Sequence, residues 1–265
     1  MQLENMTLDV ADHVATVTLN RPDRKNAWNP DMEAEFRRAM EACAADPDVR
    51  VIVFTGAGTT FCVGADVQRL SAAARQAEPA RPAQPAGQGD FEQRYSWLLA
   101  IDKPLIAGIN GAVAGVGLCL TLFFDIRYMA DGARLATSFA RRGLIAEHGS
   151  AWLLPRLIGP MNAADLLLTG RTIDAREAEQ LGLVRVLDSS DFQHQVGRRA
   201  RELAHLSSPR STRLIKQQLR NARHESLAAA IRFADAETAR CRDSLDFKEG
   251  VASFQQKRPP RFTGQ

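Results

Sequence analysis

Two small-residue turns constrain this chain more than any other feature. Gly58-Thr59-Thr60-Phe61-Cys62-Val63-Gly64-Ala65-Asp66-Val67 follows the apolar run Val51 to Gly56, and Asn110-Gly111-Ala112-Val113-Ala114-Gly115-Val116-Gly117-Leu118-Cys119-Leu120 follows Pro104 to Ile109. Each reads as a buried strand that passes through a glycine-bearing turn into a helix-compatible run. Small residues let the backbone approach a ligand or a neighbouring segment and present N–H groups to it. Taken singly, each turn is also what plain packing asks for: a tight strand-to-helix turn capped by Asp66, or a helix seated closely through glycines. Leu120 stands where a dinucleotide loop needs its third glycine, and the first strand–helix unit lacks the fingerprint, so a Rossmann reading is excluded. Taken together, two such turns would each offer one N–H to a single carbonyl oxygen. That is an oxyanion hole able to stabilise an enolate.

The surrounding sequence predicts an α/β protein. Val14 to Asn20 is rich in β-branched residues and is broken by Arg21-Pro22-Asp23. Asn29-Pro30-Asp31 predicts a helix start, with Met32, Phe36, Ala39, Met40 and Cys43 following at helical spacing. Gly117 to Phe124 reads as a buried helix and Asp125 to Ala130 as a strand, so strands and helices alternate. From Ser71 to Asp90, prolines and glycines fall among alanines and polar residues, which predicts a mobile loop, either a lid or a disordered stretch. Beyond about residue 190 only amphipathic helices are predicted, over 192–206, 208–222 and 227–240. They either cap the core or build an oligomer interface.

Composition narrows the function classes. A chain of 265 residues buries a real core without disulfide or metal staples. The net charge of +3, without a lysine or arginine block, argues against a nucleic-acid partner. Cys43, Cys62, Cys119 and Cys241 form no CxxC pair, so neither a disulfide framework nor a metal site is expected. The first residues carry no secretory pattern and no apolar run reaches membrane-spanning length, so a cytoplasmic protein without membrane contact is expected.

Phe61-Cys62-Val63-Gly64-Ala65-Asp66 is similar to the signature of the crotonase, or enoyl-CoA hydratase/isomerase, family. The segment from Asn110 to Asp125 resembles that family's glycine-rich turn and following helix. Asp46 to Arg50, Leu168 to Arg171 with Ala175 to Val184, and Phe247 to Val251 match in the same order along the chain. The resemblance implies a crotonase-like ββα spiral core over residues 1–195 with an acyl-CoA site, and a C-terminal helical trimerisation region over 196–265. It implies an acyl-CoA thioester substrate, a trimer or a dimer of trimers, and no cofactor beyond the coenzyme A carried by the substrate. It places the oxyanion donors on the backbone N–H groups of Ala65 and Val116. Glycine is usual at the second position, so Val116 is a departure.

The resemblance also exposes a gap. Family hydratases use two glutamates, and the corresponding positions here are Cys119 and Phe139, neither able to supply acid–base chemistry. One acid remains well placed: Glu147, ahead of the helix that begins at Ser150, where relatives that shift double bonds carry theirs. One carboxylate suffices to take a proton from C2 and return it at C4. An apolar wall of Phe139, Ile145 and Trp152 would favour that role. Read without the family, Glu147 is a helix N-terminal acid favoured by the macrodipole. His148 reads as a surface or packing histidine, as a group that orients Glu147 or as a base in a hydrolase-like branch, and Cys119 as a small buried residue rather than a nucleophile.

Coenzyme A contacts are implied at Lys25 and Ala27, along Val63, Asp66 and Val67, and at Gly115. Arg24 is a plausible phosphate partner. Phe254 and Lys257 match positions that reach the CoA from the C-terminal helices, often those of a neighbouring subunit. The expected activity is a Δ3-to-Δ2 double-bond shift. Hydration with an altered acid set, another acyl-CoA lyase or hydrolase reaction, and a non-catalytic CoA-binding protein are the alternatives.

Overall fold

The structure is a computed structural model that describes residues 2–66 and 89–265. Val67 and residues 71–88 of the expected loop lie outside the described residues.

Strands β1 (Met6–Ala11) and β2 (Val14–Leu19) form an antiparallel hairpin. Helix α1 (Pro30–Ala45) follows, and the Asn29 side chain accepts the N–H of Met32 at 2.8 Å to cap it. Its buried face carries Met32, Phe36, Ala39, Met40 and Cys43, the spacing legible in the sequence. Strand β3 (Val51–Gly56) then pairs parallel with β2. Strands β5 (Leu105–Ile109), β7 (Ile126–Ala130) and β10 (Arg185–Leu187) extend the sheet in parallel, giving the order β1-β2-β3-β5-β7-β10. Every residue of β3 and β5 is buried, as expected for parallel strands covered on both faces.

Each of β3, β5 and β7 feeds a short strand of a second sheet: β4 (Thr60–Cys62), β6 (Ala112–Ala114) and β8 (Arg134–Ala136). These three run parallel, and β9 (Thr172–Asp174) closes the sheet antiparallel to β8. The repeated strand–strand step builds the expected spiral. The two turns of greatest interest lie where the second sheet begins its return, and close packing there demands glycine. A Cβ on Gly111 would come within 2.0 Å of the Thr59 carbonyl oxygen.

Phe54 of β3 ties the site-bearing elements together. Its ring packs on Phe36 of α1, on Phe61 of β4 and, stacked at 5.7 Å, on Phe124. Phe124 stands just beyond helix α2 (Val116–Thr121). Such aromatic pairs contribute about 0.5–1.5 kcal/mol each beyond their area burial.

The remaining helices are α3 (Ser150–Ile158), α4 (Pro160–Thr169), α5 (Ala175–Gln180), α6 (Phe192–Leu206), α7 (Pro209–Asn221), α8 (Leu227–Arg242) and α9 (Leu245–Gln255). Helix α6 crosses residue 195 and buries Val196, Ala200 and Ala204 against β2, β3 and β5. Helix α7 is pinned by buried Lys216, whose Nζ reaches Asp125 Oδ2 at 2.7 Å and donates to the Lys103 carbonyl at 2.9 Å. Asp246 of α9 is buried and accepts from Ser208 Oγ at 2.5 Å and from the N–H groups of Thr263 and Gly264. Helix α8 buries none of its residues. No helix among the described residues is long and apolar enough to cross a membrane.

Candidate active site

The turn after β4 is held by the segment before α1. Trp28 and Ala65 form an isolated parallel bridge, with the Trp28 N–H donating to Gly64 O at 2.8 Å and the Asp66 N–H donating to Trp28 O at 3.0 Å. A parallel bridge of this kind uses both polar groups of Trp28 and neither of Ala65. The Ala65 N–H therefore points away from Trp28. Gly64 makes the bend with φ 97, a conformation that L side chains resist.

The second turn meets the first directly. A Cβ on Gly115 would lie 3.6 Å from Gly64 Cα, and one on Gly64 would lie 3.3 Å from the Ala114 carbonyl oxygen. Gly115 (φ 53) precedes α2, so Val116 is its first residue and its N–H has no intrahelical acceptor. Gly117 fixes the seating of α2 on β4, because a Cβ there would come within 2.7 Å of Cys62 Cβ. The expected donors, Ala65 and Val116, are thus on adjoining turns.

The main chain of Glu147 meets Cys119, which lies one helical turn after Val116 on α2. Cys119 Sγ, on α2, meets the Glu147 carbonyl oxygen at 3.6 Å, and the Ser150 N–H donates to the same oxygen at 3.0 Å. At the position where the resemblance expects a hydratase glutamate, a buried cysteine therefore contacts the main chain of the remaining acid. Burial pushes the Cys119 thiol up to about 12, which keeps it protonated and unsuited to nucleophilic attack. Phe139 is buried as well.

The wall expected beside Glu147 takes a different form. Ile145 is 82% exposed, and Trp152 faces outward, where it stacks on His224 at 5.8 Å and lies under the Arg156 guanidinium. Ile145 stands on the loop before α3 and Trp152 on the outer face of α3. Cys119 contacts the Glu147 main chain instead, His148 follows it, and the Tyr95 ring meets His148 edge-on at 5.0 Å. Burial, with help from Arg94, holds His148 down to about 4, so its imidazole is neutral at physiological pH.

Lys25 and Ala27 lie on the segment alongside the first turn, with Val63 donating from its N–H to Lys25 O at 3.4 Å. Arg24 and Lys25 are exposed and Ala27 is buried. Asp66 pairs with Arg21 at 3.7 Å, a bond within the fold. Phe254 and Lys257 stand outside this grouping, at the end of α9, and Phe254 is 86% exposed.

Two residues escaped the sequence reading. Asn26 is fully buried with φ 52. Its side chain accepts the Arg21 N–H at 2.9 Å and donates to Ala57 O and Thr60 O at 3.1 and 2.7 Å. Arg21 donates to Ala27 O at 2.8 Å. Together they lock the 24–28 segment to the first turn. An asparagine two residues after Arg24 in a Pro-Asp turn was the available signal, since asparagine tolerates left-handed backbone.

The chain is similar to proteins of one known family. A family model described as enoyl-CoA hydratase/isomerase matches residues 9–265. The 1,2-epoxyphenylacetyl-CoA isomerase of Escherichia coli (strain K12) is 33% identical over 99% of this chain and 100% of its own length. The crystal structure of an enoyl-CoA hydratase from Polaromonas sp. JS666 superimposes with a TM-score of 0.87 at 29% identity, covering 97% of this chain and 99% of that one. An enoyl-CoA hydratase structure from Bacillus anthracis gives 0.85 at 27% identity, covering 99% and 100%.

Proposed function

Because the chain belongs to the enoyl-CoA hydratase/isomerase family, we propose that it shifts a carbon–carbon double bond of an acyl-CoA thioester from Δ3 to Δ2. The thioester oxygen accepts hydrogen bonds from the N–H groups of Ala65 and Val116. The Glu147 carboxylate removes a proton from C2, and the electron pair moves through the thioester into the dienolate oxygen. Glu147 then returns the proton at C4, and the conjugated 2-enoyl thioester forms with no net gain or loss of atoms. Two backbone donors of this kind are worth on the order of a hundred- to a thousand-fold each in rate. General acid–base transfer adds about a hundred- to ten-thousand-fold.

The observation that carries this reading is the contact between Cys119 and Glu147. Cys119, one helical turn after Val116, meets the main-chain carbonyl of the only acid-bearing residue expected here, while both hydratase positions, Cys119 and Phe139, lack a carboxylate. One acid serves isomerisation, whereas hydration needs a second group to activate water.

The Escherichia coli relative favours a second substrate for the same machinery. Its name is that of an isomerase of an arylacetyl-CoA epoxide. An aryl thioester rearranged under the same carboxylate and donors is that alternative.

A paired ultraviolet assay tests the proposal. Growth of conjugated-enoyl absorbance from a 3-enoyl-CoA, with a 2-enoyl-CoA left almost unchanged, is the expected result. Rapid loss of absorbance from the 2-enoyl-CoA would mean hydration and would overturn the one-carboxylate reading.

A further inference from the structure

A line of rings joins the two halves of the site. Trp28, whose main chain pairs with both neighbours of Ala65, meets Tyr95 edge-on at 6.4 Å. Tyr95 in turn meets His148 edge-on at 5.0 Å, and His148 directly follows Glu147. Trp28 and Tyr95 are buried. Behind them, Arg94 grips the Glu33 carboxylate of α1 with two guanidinium nitrogens and lies 5.1 Å from the Tyr95 ring centre. The Tyr95 hydroxyl and the Trp28 indole N–H complete no hydrogen bond of ordinary geometry, but both face the Glu33 carboxylate and hold it below its ordinary pKa. The rings are therefore held by packing and by Glu33, itself paired with Arg94.

The Glu147 end of the line depends on this support. Among the described residues, Glu147 is bonded only through its carbonyl oxygen, to Cys119 and Ser150. The direction of its carboxylate is set by the turn that carries it and by the charge of Arg94, with which it interacts. That turn runs through His148 at φ 54 and Gly149 at φ 75. A left-handed histidine is strained, and such a conformation persists only where its surroundings hold it. The ring packed against it is Tyr95, with the charges of Arg94 and Glu33 nearby.

We propose that Tyr95 and His148 are positioning residues, whose ring contact fixes the Glu147 turn relative to the oxyanion donor on Ala65. The inference rests on the reading of Glu147 as the proton shuttle. The rings touch neither proton nor enolate. They set the spacing between the group that removes the proton and the donors that hold the resulting charge. Misplacing reacting groups by about 1 Å costs on the order of a hundred-fold.

Exchange of the C2 protons of a saturated acyl-CoA for deuterium, followed by NMR in heavy water, isolates this step. Glu147 takes the C2 proton, exchanges it with solvent and returns deuterium to the enolate. Tyr95→Phe keeps the ring and is expected to exchange at close to the wild-type rate. Tyr95→Ala, and His148→Asn, which tolerates the left-handed backbone without the ring, are expected to lose about ten- to a hundred-fold in kcat. Their KM should stay within about threefold. Tyr95→Ala, which empties a buried ring, should also lower the melting temperature, so all variants are assayed well below their melting points and a loss of kcat is read against folded enzyme. Unchanged kcat in both, losses confined to KM, or a Tyr95→Phe enzyme as impaired as Tyr95→Ala would overturn the proposal. Glu147→Gln in the same assay separates the two levels. If it abolishes exchange while Tyr95→Ala and His148→Asn are unimpaired, the ring line alone fails. If it exchanges normally, or the wild-type enzyme exchanges nothing, the shuttle reading fails and the ring line with it.

Discussion

At the scale of single residues, the site is assembled by groups that do no chemistry. Asn26 satisfies two carbonyls and one N–H in a fully buried setting. Truncating it leaves those groups unpaired, at about 1–3 kcal/mol for an unsatisfied buried group. Asn26→Ala is expected to lower the melting temperature and to weaken CoA-ester binding as the 24–28 segment loosens, which calorimetry and a binding titration would detect. His148 gives a pH signature. Its folded value of about 4 lies below the ordinary 6.5, so between those limits the unfolded chain binds a proton that the fold refuses. Stability is therefore lost as pH falls from about 6.5 to 4, and His148 contributes nothing above that window. Glu33 acts in the same direction. Burial would raise it, but Arg94, Tyr95 and Trp28 outweigh that and hold it below its ordinary 4.5, so its contribution fades in acid. His148→Asn should flatten the fall of melting temperature between pH 6.5 and 5. An unaltered slope would show that the imidazole is not held neutral.

At the scale of elements, much was legible because period and punctuation coincide. Asn29-Pro30 and the 32–36–39–40–43 spacing specify α1, and the all-apolar run 51–54 specifies a strand covered on both faces. The two glycine turns were readable as turns, and their meeting followed from the family resemblance; spacing alone does not say that Gly64 and Gly115 touch. The wall around Glu147 was not legible. Ile145 and Trp152 are apolar and near Glu147 in sequence, yet they face outward. Tyr95, over fifty residues from His148, packs there through a long-range contact that no local pattern encodes. The packing of elements makes two predictions. Gly117→Ala should push α2 off Cys62, at about 1–3 kcal/mol for overpacking, and lower kcat through displacement of the Val116 N–H. Phe54→Ala should cost about 3–5 kcal/mol by removing the ring shared by α1, β4 and Phe124. Chemical denaturation of each variant, paired with its steady-state rate, distinguishes the two effects.

At the scale of the whole molecule, the spiral brings the two glycine turns together, while the C-terminal helices present apolar surface outward. Leu227 and Ile231 on α8, and Leu245, Val251 and Phe254 on α9, are exposed in the single chain. Such a surface fits the homo-oligomer expected from the resemblance, with Phe254 and Lys257 reaching a neighbour's coenzyme A. Sedimentation is expected to give a trimer or hexamer mass. Phe254→Ala and Lys257→Ala should raise KM for a CoA ester several-fold while leaving a pantetheine thioester, which lacks the nucleotide, unaffected. Equal effects on both esters would place those residues elsewhere.

The central claim is that a single carboxylate, Glu147, performs the chemistry in place of the glutamates absent at Cys119 and Phe139. The direct measurement is the turnover of Glu147→Gln on a 3-enoyl-CoA beside the wild-type enzyme, with thioester binding measured on both. A loss of about a hundred- to ten-thousand-fold in kcat, with binding retained, is expected. Turnover within about threefold of wild type would contradict that claim and return the proton transfer to a group not yet identified.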